Sequence, residues 1–119
     1  MSYLTTPTGV RLRLADRGAG DPPFVLIHGW KGSHRLWDPV IARLRHDHRV
    51  VAFDLRGMGE SDKPRCAYDF DELADDLAAV LASLDLDGAV LVAWSMGTTT
   101  GPPGSARSRL RPSSIRPRR

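Results

Sequence analysis

Two kinds of hydrophobic patterning divide the chain. Val10, Leu12 and Leu14 alternate with Arg11 and Arg13, the period-two signature of a strand with one face buried and one in water. With residues 1–6 before it and a Thr8-Gly9 turn between, this predicts an antiparallel hairpin. Three later runs, Phe24-Val25-Leu26-Ile27, Val50-Val51-Ala52-Phe53 and Ala89 to Trp94, are apolar without alternation. Such runs suit parallel strands covered by helices on both faces. Helical periodicity fills the gaps between them. Trp37, Val40, Ile41 and Leu44 fall at i, i+3, i+4 and i+7 behind a capping Ser33. Phe70, Leu73, Leu77, Val80, Leu81 and Leu84 line a longer helix, which opens on an Asp69–Glu72 capping box and stops at Gly88. Alternating strands and helices imply βαβ units and hence an α/β protein with a parallel sheet.

Composition narrows this little. At 119 residues the chain allows one domain, and 41% hydrophobic with 26% charged residues is ordinary for a globular protein. The longest apolar run is far short of the ~20 residues a membrane-spanning helix needs. The N-terminus has neither a basic start nor an apolar core, so no secretion signal is visible and a cytoplasmic location is expected. Cys66 has no second thiol with which to form a disulfide or bind zinc, and reads as a bystander. The net charge of +3 conceals a division. Six arginines and no acid lie in residues 101–119, while residues 1–100 carry the other 11 basic residues and all 14 acids. This break predicts a folded region over 1–100 and an Arg/Pro/Ser/Gly-rich tail, disordered, over 101–119.

The candidate chemistry sits where the apolar runs end. Ala93-Trp94-Ser95-Met96-Gly97 follows the last run and has the small-x-Ser-x-Gly pattern of a nucleophile elbow. A sharp strand-to-helix turn lifts the hydroxyl clear of the sheet toward a base and a substrate carbonyl. The crowded backbone favours small residues two before and two after, here Ala93 and Gly97. His28-Gly29-Trp30 follows the first parallel run, and Asp54-Leu55-Arg56-Gly57-Met58-Gly59-Glu60-Ser61-Asp62 the second.

In their order and spacing these three motifs resemble the α/β-hydrolase fold family, over residues 1 to about 99. The chain is most similar to its small esterase, haloperoxidase-like and lipase-like members, and corresponds to the N-terminal part of the family's domain. The resemblance implies Ser95 as nucleophile toward a small-molecule ester, forming an acyl-enzyme. It implies the backbone N–H groups of Trp30 and Met96 as an oxyanion hole, with no cofactor and no metal. Serine at this position argues against the epoxide-hydrolase and haloalkane-dehalogenase branches, which carry aspartate there.

Several motif residues have plainer roles. In the resembled family His28 is a structural histidine beneath the oxyanion loop, and Asp54 is expected to hydrogen-bond the turn that follows it. His34, His46 and His48 read as solvated surface residues. Gly57-x-Gly59 lacks the third glycine and the helix of a dinucleotide loop. Trp30, Trp37 and Trp94 read as core or pocket lining.

The family order of triad residues is Ser, then Asp or Glu, then His, and no His, Asp or Glu follows Ser95. A rearranged triad using His28 or His34 with Asp54 is the alternative. The five residues from Met96 to Thr100 leave a helix little length before Gly101-Pro102-Pro103. The strand at 89–94 is therefore expected to be thinly covered and to form a bare sheet edge. These features predict an incomplete α/β-hydrolase fold, truncated or frame-shifted and catalytically impaired. The other functional reading is a non-catalytic α/β module whose arginine tail binds anionic partners, with nucleic acid bound non-specifically if at all. No oligomeric state is predicted.

Overall fold

The protein is described from a computed structural model, which covers residues 2–29 and 32–94 and the backbone of residues 107–110. Strands β1 (Ser2–Thr5) and β2 (Arg11–Arg17) form the predicted antiparallel hairpin, with Ser2 opposite Leu14 and Thr5 opposite Arg11. The apolar runs form β3 (Phe24–Ile27), β4 (Val50–Phe53) and β5 (Ala89–Ala93). Helices α1 (Asp38–Leu44) and α2 (Phe70–Ser83) connect them. A last strand, β6 (Arg107–Leu110), completes the sheet. The strand order is β1-β2-β4-β3-β5-β6, with β3 parallel to both β4 and β5 and β2 antiparallel to β4.

Both faces of the central strands are covered, which is why their sequences do not alternate. Val25, Ile27, Val51 and Phe53 pack on one side with Leu77, Val80 and Leu81 of α2, while Leu26, Val50 and Ala52 pack on the other with Ile41 of α1. The chain steps from β3 to β4 through α1, then returns across β3 to β5 through α2. Right-handed crossovers in opposite directions place the two helices on opposite faces. The loops consequently part company at the carboxyl end of β3, where open α/β sheets form their sites.

Four details depart from the expected pattern. Ser33 caps a 3₁₀ turn (His34–Trp37), its Oγ accepting from Arg35 N–H at 3.2 Å, and α1 begins only at Asp38 with Pro39 in its first turn. Proline is pre-organised for that position and restricts the residue before it, so the regular helix starts there. Val40 is exposed, and Ile41 alone of the helix's residues is buried. Phe70, expected on the buried face of α2, is 59% exposed, because the helix turns inward only from Leu73. Asp69 does cap it, accepting from Glu72 N–H at 2.9 Å.

The far edge of β5 is not bare. Strand β6 runs antiparallel to it, with Ala89 opposite Leu110 and Val92 opposite Arg107. An edge strand offers backbone N–H and C=O groups that pair with any extended segment, whatever its side chains. The positions expected to form the helix after the elbow, Met96 to Thr100, lie outside the described residues. Among the described residues no helix is long and apolar enough to cross a membrane.

Candidate functional site

Buried polar side chains gather at the carboxyl ends of β3 and β4: His28, His34, Asp54, Arg56 and Ser61 are each 3% exposed or less. Polar groups taken from water need partners. His28, directly after β3, uses both ring nitrogens. Its Nδ1–H donates to Gly29 O at 2.7 Å and its Nε2 accepts from Leu55 N–H at 2.9 Å, which assigns the hydrogen to Nδ1. The ring thus ties the exit of β3 to the exit of β4, the structural role expected of it. Burial holds its pKa below the ordinary histidine value, opposed in part by the hydrogen bond to Gly29. Gly32 N–H donates to Gly29 O at 3.0 Å, so Gly29 serves this loop through its carbonyl.

Asp54, directly after β4, is fully buried. Its Oδ2 accepts from Glu60 N–H at 2.8 Å, which is the turn-stabilising role expected. Its Oδ1 has a second role. It accepts from His34 N–H at 2.6 Å and faces His34 Nδ1 at 2.7 Å. His34 is therefore not a solvated surface residue but 1% exposed, because the 3₁₀ turn presents it to Asp54. Its Nε2 is buried with no hydrogen-bond partner among the described residues. Of the other two histidines, His46 is exposed, as expected, and His48 is half-buried, with its Nδ1 on Pro22 O at 3.0 Å.

The loop from 54 to 62 is zipped along β2. Ser61 Oγ donates to Asp54 O at 2.6 Å and accepts from Arg13 N–H at 2.8 Å. Asp62 Oδ2 accepts from Arg11 N–H at 2.8 Å, and these bonds to Arg11 hold its carboxyl below the usual carboxylate range. Two glycines permit the path. Gly57 (φ +80°) and Gly59 (φ +54°) have left-handed backbones, and a Cβ on Gly59 would run into the Asp54 carboxylate, one on Gly57 into the Tyr68 ring.

Arg56 is the residue that sequence reasoning missed. It is 2% exposed and forms a bidentate pair with Asp76 at 2.7 and 2.8 Å, with a further bond to Ala67 O at 2.8 Å. The Asp76 hydrogen bonds raise the guanidinium pKa above its ordinary value. A signal for it exists: Asp76 lies between Leu73 and Leu77 on the apolar stripe of α2, where an acid needs a buried cation.

Ser95, Trp30 and Met96, with Gly97 beside them, lie outside the described residues. Their neighbours do not. Ala93 ends β5 opposite Ile27, and Trp94 N–H donates to Ile27 O at 3.1 Å. The segment leading to Ser95 therefore leaves the sheet beside the segment that opens with His28. Trp94 is 63% exposed at this edge, so it is not core, whereas Trp37 is partly buried against the α1 face. No cluster of three or more His, Cys, Asp or Glu able to hold a metal occurs among the described residues, and Cys66 is exposed.

Comparison with known proteins agrees with this architecture. The family model for the alpha/beta hydrolase fold matches residues 22–101. The chain belongs to the α/β-hydrolase fold family. It is 38% identical over 96 residues to the AB hydrolase superfamily protein YisY of Bacillus subtilis, covering 80% of this chain and 35% of that one. The bifunctional esterase/perhydrolase DCH of Acinetobacter calcoaceticus is 41% identical over 99 residues, 82% of this chain and 36% of that protein. The esterase of Exiguobacterium antarcticum superposes with a TM-score of 0.79 at 30% identity, covering 83% of this chain and 37% of the esterase. The chain thus spans about a third of the length of these relatives.

Proposed function

We propose that the chain carries the nucleophile and oxyanion-hole part of a serine hydrolase that acts on small carboxylic esters through an acyl-enzyme. One observation supports this above the rest: the backbone bond from Trp94 to Ile27, which sets the residue before Ser95 beside the His28-Gly29 segment. In this reading the Ser95 hydroxyl attacks the ester carbonyl. The N–H groups of Trp30 and Met96 hold the oxygen on which negative charge develops, and loss of one such donor typically costs ~10²–10³ in rate. His28 serves by positioning: with both ring nitrogens engaged it has no lone pair to offer a substrate. Asp54, Gly57 and Gly59 shape the neighbouring loop, and Ala93 and Gly97 leave room for the bend at Ser95. The esterase and perhydrolase named among the relatives make an acyl ester the natural class of substrate.

An oxyanion hole with binding alone retains ~10³–10⁴ over water in well-built sites. The test is p-nitrophenyl acetate hydrolysis by the full chain and by Ser95→Ala. A rate above background that Ser95→Ala abolishes supports the reading, and equal rates for the two proteins overturn it.

A further inference from the structure

We propose that the outer edge of β5 is a self-association surface whose partner is β5 of a second copy of this chain, and that β6 shields it by occupying the same place. The backbone shows which groups form the surface. Val90 N–H donates to Pro23 O at 2.8 Å and Trp94 N–H to Ile27 O at 3.1 Å, both toward β3. Backbone groups alternate in direction along a strand, so the N–H and C=O of Ala89, Leu91 and Ala93 point the other way, to the edge where β6 lies. Leu91 stands opposite Ser108, and Ala89 opposite Leu110. These are therefore the pairs that exchange backbone hydrogen bonds, and the N–H groups of Ser108 and Leu110 close the edge.

Orientation and composition both select a second copy as the partner. Strand β6 is antiparallel to β5, and the β5 strands of two copies related by a twofold axis also meet antiparallel. Strand β6 thus fills the position that β5 of a twofold-related copy would take. The edge strand itself reads Ala89-Val90-Leu91-Val92-Ala93, with no charge and no proline. It lacks the devices by which an exposed strand usually turns another away. Set against its own copy, it brings apolar and β-branched residues together, the pairing that a sheet favours. The register of β6 instead sets Arg107, Ser108 and Arg109 opposite Val92, Leu91 and Val90. None of these three is a residue type that strands favour.

Connectivity lets the poorer strand win. Thirteen positions separate Ala93 from Arg107, and a tether of that length holds β6 at a local concentration on the order of 1 mM. A second copy present at about 10 μM therefore competes at a disadvantage of roughly a hundredfold. Removing the inward donors of β6 takes away this advantage and leaves the edge to the second copy.

The experiment follows mass by light scattering, and amide hydrogen exchange at Leu91 and Val90, from micromolar to millimolar protein. It compares the full chain with Ser108→Pro/Leu110→Pro, in which both inward N–H groups are gone, and with Ser108→Ala, which keeps its N–H. The full chain and Ser108→Ala are expected to keep the mass of one chain at micromolar protein, with the Leu91 amide protected. The proline variant is expected to double in mass as concentration rises and to stop there, because a twofold contact uses up the edge. Its Leu91 amide should exchange freely when dilute and regain protection in step with the doubling. Val90, bonded to β3, should stay protected throughout and reports that the sheet is intact. A proline variant that keeps the mass of one chain at every concentration overturns the inference. So does doubling without protection at Leu91, which puts the contact at another edge such as β1, and so does open-ended growth. A Leu91 amide that exchanges freely in the full chain overturns the shielding by β6. Should the double variant lose protection at Val90, the same series on Ser108→Pro alone decides.

Discussion

The two faces of the sheet are built to different standards. On the α2 face Leu12, Leu14, Val25, Ile27, Val51, Phe53 and Leu91 close around Leu77, Val80, Leu81 and Leu86, all 3% exposed or less. On the α1 face Leu26, Val50 and Ala52 meet a single fully packed helical side chain, Ile41, while Phe24, Leu44 and Val92 remain half-buried and Val40 and Leu36 exposed. The difference follows from helix length: 14 residues span the strands and 7 do not. Among the described residues the tighter packing is therefore on the α2 side. The site edge is held there too, because Arg56 joins the loop after β4 to Asp76 of α2.

Breaking that link should have the largest effect on stability. Asp76→Ala leaves the buried Arg56 guanidinium with only Ala67 O and, at 3.6 Å, Glu72 Oε2, and loss of one member of a buried pair costs about 3–5 kcal/mol. Chemical denaturation should show this as a midpoint shift at least as large as that of Leu77→Ala. Leu77→Ala and Ile41→Ala then measure the two faces directly. Core truncations of this kind cost about 2–5 kcal/mol, with Leu77 expected toward the middle of that range and Ile41 toward its lower end. Equal losses would show the faces to be equivalent.

Acid should weaken the site edge next. Burial holds the folded-state pKa of His28 below its unfolded value, so the unfolded chain binds a proton first as pH falls. The stability contributed by neutral His28 is complete above pH ~6.5 and is lost as pH falls from there toward the lower folded pKa. Thermal melts across that window should show Tm falling, with a smaller slope in His28→Asn. The smallest effect belongs to the exposed start of α2. Phe70→Ser should change stability by less than about 0.5 kcal/mol, as substitutions away from packed or capped positions do.

Much of this was legible from residue patterning. The unbroken apolar runs announced strands covered on both sides, and the capping box at Asp69 announced where α2 begins. The three motifs at the ends of β3, β4 and β5 pointed to the sheet edge where the candidate site lies. The side chains around that edge were not legible in the same way. His34 sits on a polar turn of a kind that is usually solvated, and only the approach of Asp54, twenty positions along the chain, buries it. Arg56 reads as a loop cation until Asp76 is seen to face it. The edge pairing of β5 with β6 runs through backbone groups, which carry no side-chain signature.

Hydrophobic periodicity and turn chemistry, both local, determined from the sequence alone the class of fold, the order of its elements through β5 and the strand ends that carry the motifs. Partnership between polar groups is a matter of distance in space. Only the tertiary structure decided that Asp54 serves His34 as well as its own turn, that Arg56 is a buried anchor, and that His28 has no free nitrogen. The physical reason is that a hydrogen bond reaches about 3 Å, while the residues it joins in these three cases are separated by 20 or more positions of chain.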